Sequence, residues 1–347
     1  MFSQSLKPDD TPEHEPFNLR EVARHLATFR RPSNARGAFE LAVSAAPLIG
    51  LWVLMWLSLD HYVLTLLLAV PAAGFLLRLF LIQHDCGHGA FFKGRRVNDW
   101  VGRVIGVLTL SPYDFWRKTH AMHHAATGNL DRRGMGDIDT LTVREFAQRS
   151  FWGRLRYRLY RNPVVMFGIG PAYTFFLRYR LPLGLMRDGW RPWISTMGTN
   201  VAIAVVVAVA ILLIGWRAFL LIQVPTTLIA ATVGVWLFYV QHQFEETHWS
   251  GGEDWSFHES AVYGSSHYAL PRVLRWFTAN IGMHHVHHLC SAIPFYRLPT
   301  ALRNLPEMAD VNRMTVWQSL RSVRLVLWCE ATGRMVSFRQ ARALASA

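Results

Sequence analysis

The chain has 347 residues, of which 51% are hydrophobic and 17% are charged, and its formal net charge is +13. It is too apolar for an ordinary soluble domain and too polar for a chain made only of spanning helices, so we expect a membrane part and a substantial water-facing part. The positive charge does not indicate a nucleic-acid partner, because the basic residues form blocks beside apolar segments, as is typical of membrane-proximal sequence.

The N-terminal segment, residues 1–38, is polar and predicts a cytoplasmic N terminus without a cleavable signal peptide. Four apolar stretches follow, each near the ~20 residues that cross ~30 Å of hydrocarbon. The predicted spans lie at about 41–59, 62–82, 196–216 and 218–240. Short links around Asp60 and Arg217 join them into two hairpins. The large basic segments lie outside the hairpin tips, so the positive-inside rule places both termini and the middle region in the cytoplasm.

Two further apolar stretches, 101–110 and 163–177, are too short to span, and the second contains Pro171. We expect them to be interfacial or re-entrant. Residues 39–299 then form the membrane domain, and residues 300–347 form a cytoplasmic helical segment with an amphipathic helix over Val316 to Leu327. The predicted fold class is all-α integral membrane, with four spanning helices in two hairpins and a cytoplasmic helical cap.

Histidine clusters are the main functional signal among the 16 histidines. They fall in three groups, namely His84 and His88, then His120, His123 and His124, then His284, His287 and His288. Residues three or four apart lie on one face of a helix, so each group presents its rings toward a common point. Eight imidazoles are twice what one tetrahedral zinc requires, which favours two metal ions. Imidazole suits iron, copper and zinc, so the ligand type does not select the element.

Other readings of the histidines and cysteines are weaker. The segment His84–His88 resembles a zinc-protease HExxH helix with aspartate in place of glutamate, but the two further groups argue against a protease. The three cysteines form no CxxC pair, which argues against a thiolate zinc site or a disulfide framework. His285 is rotated by roughly 100° from its neighbours on a helix and should point away from the metals. The isolated histidines, expected to be interfacial or satisfied polar groups, are His14, His25, His61, His258 and His267.

Four longer segments extend the pattern, and they read HDCGHGAFF, WRKTHAMHHAATGNLDRRGMGDI, FYVQHQFEETHW and GSSHYALPRVLRWFTANIGMHHVHHL. With them the chain resembles the membrane fatty acid desaturase family, whose boxes HxxxH, HxxHH and HxxHH occur here in the same order. The segments look most like bacterial omega-6 or delta-12 acyl-lipid desaturases. The resemblance implies two iron ions, O2 as oxidant, two external electrons and a cis double bond as product. A membrane glycerolipid is the first expected substrate, with an acyl-carrier protein or coenzyme A ester as alternatives.

The electron donor is expected to be a separate protein, because the sequence contains neither an HPGG haem signature nor the CxxC pairs of a rubredoxin. Ferredoxin with its reductase is the first choice, since such carriers are acidic and a basic surface would steer them. The arginines considered for this surface are Arg154, Arg156, Arg158 and Arg161. The same arginines fit anionic lipid headgroups equally well.

Several polar residues near the clusters are candidates to support the metal ligands. Carboxylates expected to accept an imidazole N–H and so orient a ring are Asp85, Asp131, Asp137, Glu245 and Glu246. Each has an alternative role as a helix cap or as a salt-bridge partner of Arg132 or Arg133. Asn280 precedes His284 by four residues and is a candidate to bind a metal-bound water.

His242 is predicted to be a ninth ligand and His248 is not. His84 and His242 each follow the end of a predicted span by two residues, so both should emerge at the same depth. On a continuing helix, His248 would face some ~120° away from His242 and lie about 9 Å higher. The resemblance agrees, because desaturases generally draw a further histidine from the end of this span.

Two other functions remain open at this stage. A hydroxylase, conjugase or carotenoid ketolase of the same superfamily would use the same ligands, because the outcome depends on substrate placement. A histidine-rich metal transporter is the alternative from a different class. It would be expected to carry ionisable residues along its spans, whereas the predicted spans here are nearly free of them, with Arg78 the main exception.

Overall fold

The computed structural model describes residues 18–134 and 136–346. Much of the predicted N-terminal segment, including His14, therefore lies outside the described residues. The helices are α1 (Leu19–Ala27), α2 (Asn34–Leu57), α3 (Tyr62–His88), α4 (Arg95–Leu108), α5 (Tyr113–Ala126), α6 (Val143–Gln148), α7 (Phe151–Tyr160), α8 (Gly170–Ala172), α9 (Trp190–Ile214), α10 (Trp216–His242), α11 (Phe257–Tyr263), α12 (Arg272–Phe277), α13 (His284–Leu289), α14 (Leu298–Arg303), α15 (Val316–Ser322) and α16 (Phe338–Ser346).

Four of these helices, α2, α3, α9 and α10, are long and apolar enough to cross a membrane. They correspond to the four predicted spans but extend beyond the apolar stretches. Ser33 caps α2 by accepting a hydrogen bond from the Arg36 amide, so that helix begins before the predicted residue. α3 continues through the polar residues up to His88 and ends at Gly89, whose φ of 70° is in the left-handed region. The extra turns of α3 carry His84 and His88, two candidate metal ligands, beyond the apolar part of the helix.

A buried ion pair joins α2 to α3. The Arg78 guanidinium pairs with the carboxylate of Glu40 and donates a hydrogen bond of 3.1 Å to Ser44 Oγ. Both charged side chains are almost completely buried. The Arg78 guanidinium also lies 4.0 Å from the centroid of the Trp276 ring, which ties the pair to α12. The charge of Arg78 in the second span therefore has its partner in α2, the first span, rather than along a conduction path.

The two shorter apolar stretches do not form spanning helices. The first lies mostly in α4, whose 14 residues rise only about 21 Å. This helix exposes Val97, Trp100 and Val104 on one side, which is typical of an interfacial helix. The second stretch is irregular, with π-helical turns at Val165–Ile169 and Tyr173–Leu177 on either side of α8.

The part of the chain outside the spanning helices contains short strands as well as helices, which corrects the prediction of a purely helical cap. The strands are β1 (Leu141–Thr142), β2 (His267–Ala269), β3 (Arg313–Thr315), β4 (Leu327–Cys329) and β5 (Arg334–Val336). One sheet has the order β1-β4-β5, with β1 parallel and β5 antiparallel to β4, and β2 pairs with β3 in parallel.

The predicted amphipathic helix over Val316 to Leu327 is therefore wrong beyond Ser322. A capping box at Thr315 starts α15, and the chain then enters a strand in which Leu327, Trp328 and Cys329 are all buried. Three consecutive buried residues show no helical period. These residues form a strand because they pair with β1. The described fold is mostly helical, and the division at residues 38 and 299 stays a prediction.

Candidate metal centre

Nine histidines converge in two groups, and within each group the candidate ligand atoms lie within 4.8 Å of one another. The first cluster is His84, His88, His120, His124 and His287. The second cluster is His123, His242, His284 and His288. The clusters are adjacent, because the His124 ring stacks on the His288 ring with their centroids 4.1 Å apart.

Helical spacing explains how the histidines divide. On an α-helix, residues i and i+4 are offset by about 40°, whereas i+3 is displaced by about 60° to the other side. His120 and His124 of α5 accordingly share the first cluster, and His123 joins the second. In α13 the i, i+4 pair, His284 and His288, shares the second cluster. Each HxxHH box therefore serves both clusters, whereas the sequence predicted one common point for each box.

The imidazole nitrogens within each cluster face one another directly. In the first cluster, the Nε2 atom of His120 lies 3.1 Å from Nε2 of both His88 and His124. In the second, Nε2 of His284 lies 3.0 Å from Nε2 of both His242 and His288. A neutral imidazole has one N–H and one lone pair, so these sets cannot be satisfied by hydrogen bonds among themselves alone. A cation at the centre of each set would accept all the lone pairs.

The protonation states fit a metal site. Burial, reinforced by the neighbouring imidazoles, lowers the pKa values of the ligand candidates outside the spanning helices well below the ordinary histidine value. These residues are His120, His124, His284, His287 and His288. A neutral ring has the free lone pair that metal coordination needs. The Nε2 atom of His123 is also buried and has no hydrogen-bond partner among the described residues.

Hydrogen bonds at the opposite ring nitrogen orient several of these rings. The Nδ1–H of His84 donates to Asp85 Oδ1 at 3.2 Å, and that of His123 donates to Asp137 Oδ1. The Nδ1 of His242 lies 3.2 Å from the Gly264 carbonyl oxygen. A donor bond at Nδ1 fixes the tautomer and directs the Nε2 lone pair into the cluster. Asp85 is itself held, because its Oδ2 accepts a 2.7 Å hydrogen bond from the Phe295 amide.

The structure does not bring the other polar candidates to a ligand ring. Asp131 Oδ2 accepts a hydrogen bond from the Gly252 amide, and the Asn280 amide donates to the Phe295 carbonyl at 3.1 Å. Glu245 and Glu246 are exposed in the turn after α10. Proximity in sequence placed these residues near histidines, but the turns that carry them direct the side chains elsewhere.

The remaining histidines among the described residues lie outside both clusters. His285 is buried in the ligand helix, where it hydrogen-bonds to the Met308 carbonyl at 2.9 Å, and burial lowers its pKa to about 3. His248 lies in the loop after α10, because that helix ends at His242. The helical comparison of His242 with His248 therefore does not apply, although the structure places only the former in a cluster.

Arg161 is a buried residue that sequence reasoning placed on the surface. Its guanidinium donates to Gln243 Oε1 at 2.8 Å, to the Leu325 carbonyl at 2.9 Å and to the Asp139 carbonyl at 3.2 Å. It therefore cannot belong to the proposed basic docking surface. Gln243 and Leu325 lie 82 and 164 residues away in sequence, so no local pattern signals these contacts.

An apolar cavity of about 350 Å³ lies between α2, α4, α9 and α10. Its wall includes Trp52 and Trp56 of α2, Leu108 of α4 and Ile214 at the end of α9. Gln223 of α10 adds a polar group. A cavity of this size and lining fits a hydrocarbon chain better than a polar metabolite.

Comparison with known proteins assigns the chain to a protein family. The model of the fatty acid desaturase family matches residues 61–320, which include all nine clustered histidines. The chain belongs to the fatty acid desaturase family. It is 45% identical to a fatty acid desaturase of Bacillus subtilis over 321 residues, which cover 92% of this chain and 91% of the relative. Membership of this family makes the protein an oxidoreductase, and with its four apolar helices an integral membrane protein.

More distant relatives have more specific names. The chain is 27% identical to an sn-1 acyl-lipid omega-3 desaturase (ferredoxin) of Synechocystis, with 91% of this chain and 89% of the relative covered. It is 25% identical to an sn-1 oleoyl-lipid 12-desaturase of Anabaena variabilis, with 84% and 82% covered. The family thus includes enzymes named for different double-bond positions.

Proposed function

We propose that this protein is an acyl-lipid desaturase that introduces a cis double bond into a fatty acyl chain, with two iron ions bound by the nine clustered histidines. The observation that carries the proposal is the convergence of five and four imidazoles at two adjacent points. The domain that holds them is proposed to be residues 39–299.

The reaction balances with one O2, two electrons and two protons, which convert an acyl –CH2–CH2– unit into –CH=CH– with the release of two waters. Bound iron would supply the oxidising power that breaks the C–H bonds of unactivated methylenes. The protein orients the ligand rings through Asp85 and Asp137 and keeps the second cluster away from bulk water. All-imidazole coordination also suits other metals, so the choice of iron rests on the family.

The proposed substrate is an acyl chain of a membrane glycerolipid. The apolar cavity between α2, α4, α9 and α10 supports a hydrocarbon substrate that enters from the bilayer. For the position of the double bond we propose the omega-6 or delta-12 type, on the resemblance of the histidine segments. The relative named an oleoyl-lipid 12-desaturase agrees with this, whereas the omega-3 relatives offer the alternative.

Both termini and the metal centre are proposed to face the cytoplasm, with the four spans arranged as two hairpins. The basic residues outside the links at 58–61 and 215 support this orientation. The electron donor is proposed to be ferredoxin with its reductase. Two relatives are named as acyl-lipid omega-3 desaturases with ferredoxin in parentheses.

Expression in a host that lacks acyl-lipid desaturases tests this function, with gas chromatography of the fatty acid methyl esters. A new monounsaturated or diunsaturated ester in the wild type, absent in His124→Ala, is the expected result. His61→Ala is the matched control, because His61 is exposed and lies outside both clusters. A hydroxylated ester would indicate a hydroxylase, and unchanged lipids with increased cell metal would indicate a transporter.

A further inference from the structure

The two metal clusters differ in their access to solvent. All four histidines of the second cluster are buried. In the first cluster, His88 and His120 are partly exposed, and the other three are buried. The two rings are neighbours, with their Nε2 atoms 3.1 Å apart inside the cluster. Of the two clusters, the first is therefore the one with candidate ligands in contact with solvent.

Gly87 and the side chains around it form this part of the surface. A Cβ at Gly87 would lie 3.1 Å from Trp116 Cζ3 and 3.7 Å from Arg117 Cγ. At Gly89, a Cβ would lie 2.6 Å from Arg95 Nη1. The Arg95 guanidinium is also within 3.5 Å of the Gly87 carbonyl oxygen. Arg95 and Arg117 thus lie against the end of α3 that carries His88. Gly87 and Gly89 have no side chains that would occupy this space.

We propose that this surface docks an acidic electron-carrier protein and that electrons enter the enzyme through the first cluster at His88 and His120. The surface, here called the His88 face, consists of Gly87, His88, Arg95, Arg117 and Lys118, with Trp116 buried beneath it. This inference rests on the proposed desaturase function, which requires two electrons per turnover. Two one-electron carriers are oxidised in each cycle, and the metal centre is reduced.

The charge of the His88 face favours an acidic partner. Arg95 and Arg117 both contact Asp99 Oδ1, at 3.3 Å and 2.7 Å. Arg117 also lies 3.8 Å from Asp114, whose main partner is Arg103 at 2.8 Å, so two carboxylates face three guanidinium groups. Lys118 pairs with Asp188 at 2.6 Å, and both side chains remain about half exposed. The neighbouring Lys93 and Arg96 are exposed and add positive charge. A net positive surface beside the exposed ligands attracts an acidic carrier and raises its rate of association.

Trp116 provides a short route from this surface to the metal ligands. Its ring stacks on the His120 ring, with centroids 4.6 Å apart and an interplanar angle of 15°. It also lies 5.8 Å from the His84 ring. Trp116 is buried, and the face of its ring contacts a candidate ligand. An electron that arrives at this surface would pass through the Trp116 side chain to reach the imidazole of His120.

The arginines of α7 are a less suitable docking surface. Arg161, which follows this helix, is buried. The Arg158 guanidinium lies over the Phe338 and Phe146 rings, at 4.8 Å and 5.6 Å from their centroids. Arg154 and Arg156 remain accessible to solvent and provide a matched control for the effect of surface charge.

The test compares Arg95→Glu/Lys118→Glu with the control Arg154→Glu/Arg156→Glu in the full-length, iron-loaded enzyme. Turnover is measured against the concentration of a reduced [2Fe–2S] ferredoxin at low ionic strength, and in parallel with dithionite and methyl viologen. We expect the first variant to raise the KM for ferredoxin about tenfold, and to change kcat and turnover on the chemical reductant by a much smaller factor. Added salt should reduce the difference from wild type.

A second variant, Lys93→Glu/Arg96→Glu, removes charge next to the His88 face without touching Asp99, and it should raise the same KM by a smaller factor. It keeps the test valid if the first variant loses iron or fails to fold. Unchanged ferredoxin KM in both variants, or a larger increase in the α7 control, would overturn the proposal. Failure of the proposed function is distinguishable, because the wild type would then form no unsaturated product with either reductant.

Discussion

Arg161 donates a 2.8 Å hydrogen bond to Gln243, the residue directly after the second-cluster histidine His242. The same guanidinium donates to the carbonyl of Asp139, two residues after the carboxylate that orients His123. A single buried side chain thus connects the end of α10 with the loop that carries Asp137. The oxygens that accept hydrogen bonds from Arg161 are uncharged, so Arg161 acts by holding the end of α10 and the loop of Asp137 together.

Replacement of Arg161 by methionine is expected to weaken metal binding at the second cluster selectively. The change removes the hydrogen bonds that the Arg161 guanidinium donates to Gln243, Leu325 and Asp139, at a cost of about 1.5–3 kcal/mol each, and frees the segments that position His242 and His123. Iron analysis together with Mössbauer spectroscopy should show loss from one of two iron environments. Arg161→Lys, which retains part of the hydrogen bonding, should lose less. Equal loss from both environments would contradict the assignment.

Asp137→Asn is expected to reduce metal affinity by about 10- to 100-fold, because an amide oxygen orients the His123 ring less strongly than a carboxylate. Asp131→Asn is the control, since Asp131 accepts from the Gly252 amide and contacts no ligand ring among the described residues. Competition with a chelator measures both affinities. Equal effects of the two substitutions would show that the Asp137 contact does not support the site.

His242→Ala and His248→Ala separate the two histidines that follow the fourth span. His242 lies 3.0 Å from His284 in the second cluster, whereas His248 lies outside both clusters. Loss of His242 removes one of four imidazoles, so we expect iron content to fall toward one per chain and desaturation to stop. His248→Ala should retain both iron and turnover. The reverse pattern in iron analysis would refute the ligand assignment.

The buried pair of Arg78 and Glu40 predicts a non-additive effect on stability. Removal of Glu40 leaves the Arg78 charge without an ionic partner between the helices, so Glu40→Gln alone is expected to cost about 3–5 kcal/mol. Arg78→Met should cost less, because Glu40 keeps its ion pair with Arg36. The double variant Glu40→Leu/Arg78→Met removes both charges and should be less destabilised than Glu40→Gln. Thermal unfolding in detergent measures the difference. Additive losses would show that the two side chains do not act as a pair.

The local features of the sequence predicted much of the site. His84, His120 and His284 begin motifs whose spacing is contained within one helix, so their convergence follows from helical geometry. The four apolar helices follow from length and composition in the same way.

Features that depend on long-range contacts were not predictable. The division of each HxxHH box between two clusters depends on where α3, α5, α10 and α13 meet. Arg161 appeared as one of a series of basic residues, and its burial becomes evident only when Tyr239 and Leu325 pack around it. The short strands contain two or three residues each, which is too short for an alternating pattern to appear.

The metal content of the purified protein tests the central claim most directly. Nine imidazoles in groups of five and four predict close to two irons per chain in the active wild type. His124→Ala and His288→Ala, one from each cluster, should lose iron and activity while they still insert into the membrane. A preparation that forms unsaturated product at full rate with zinc alone, or with no bound metal, would contradict the account.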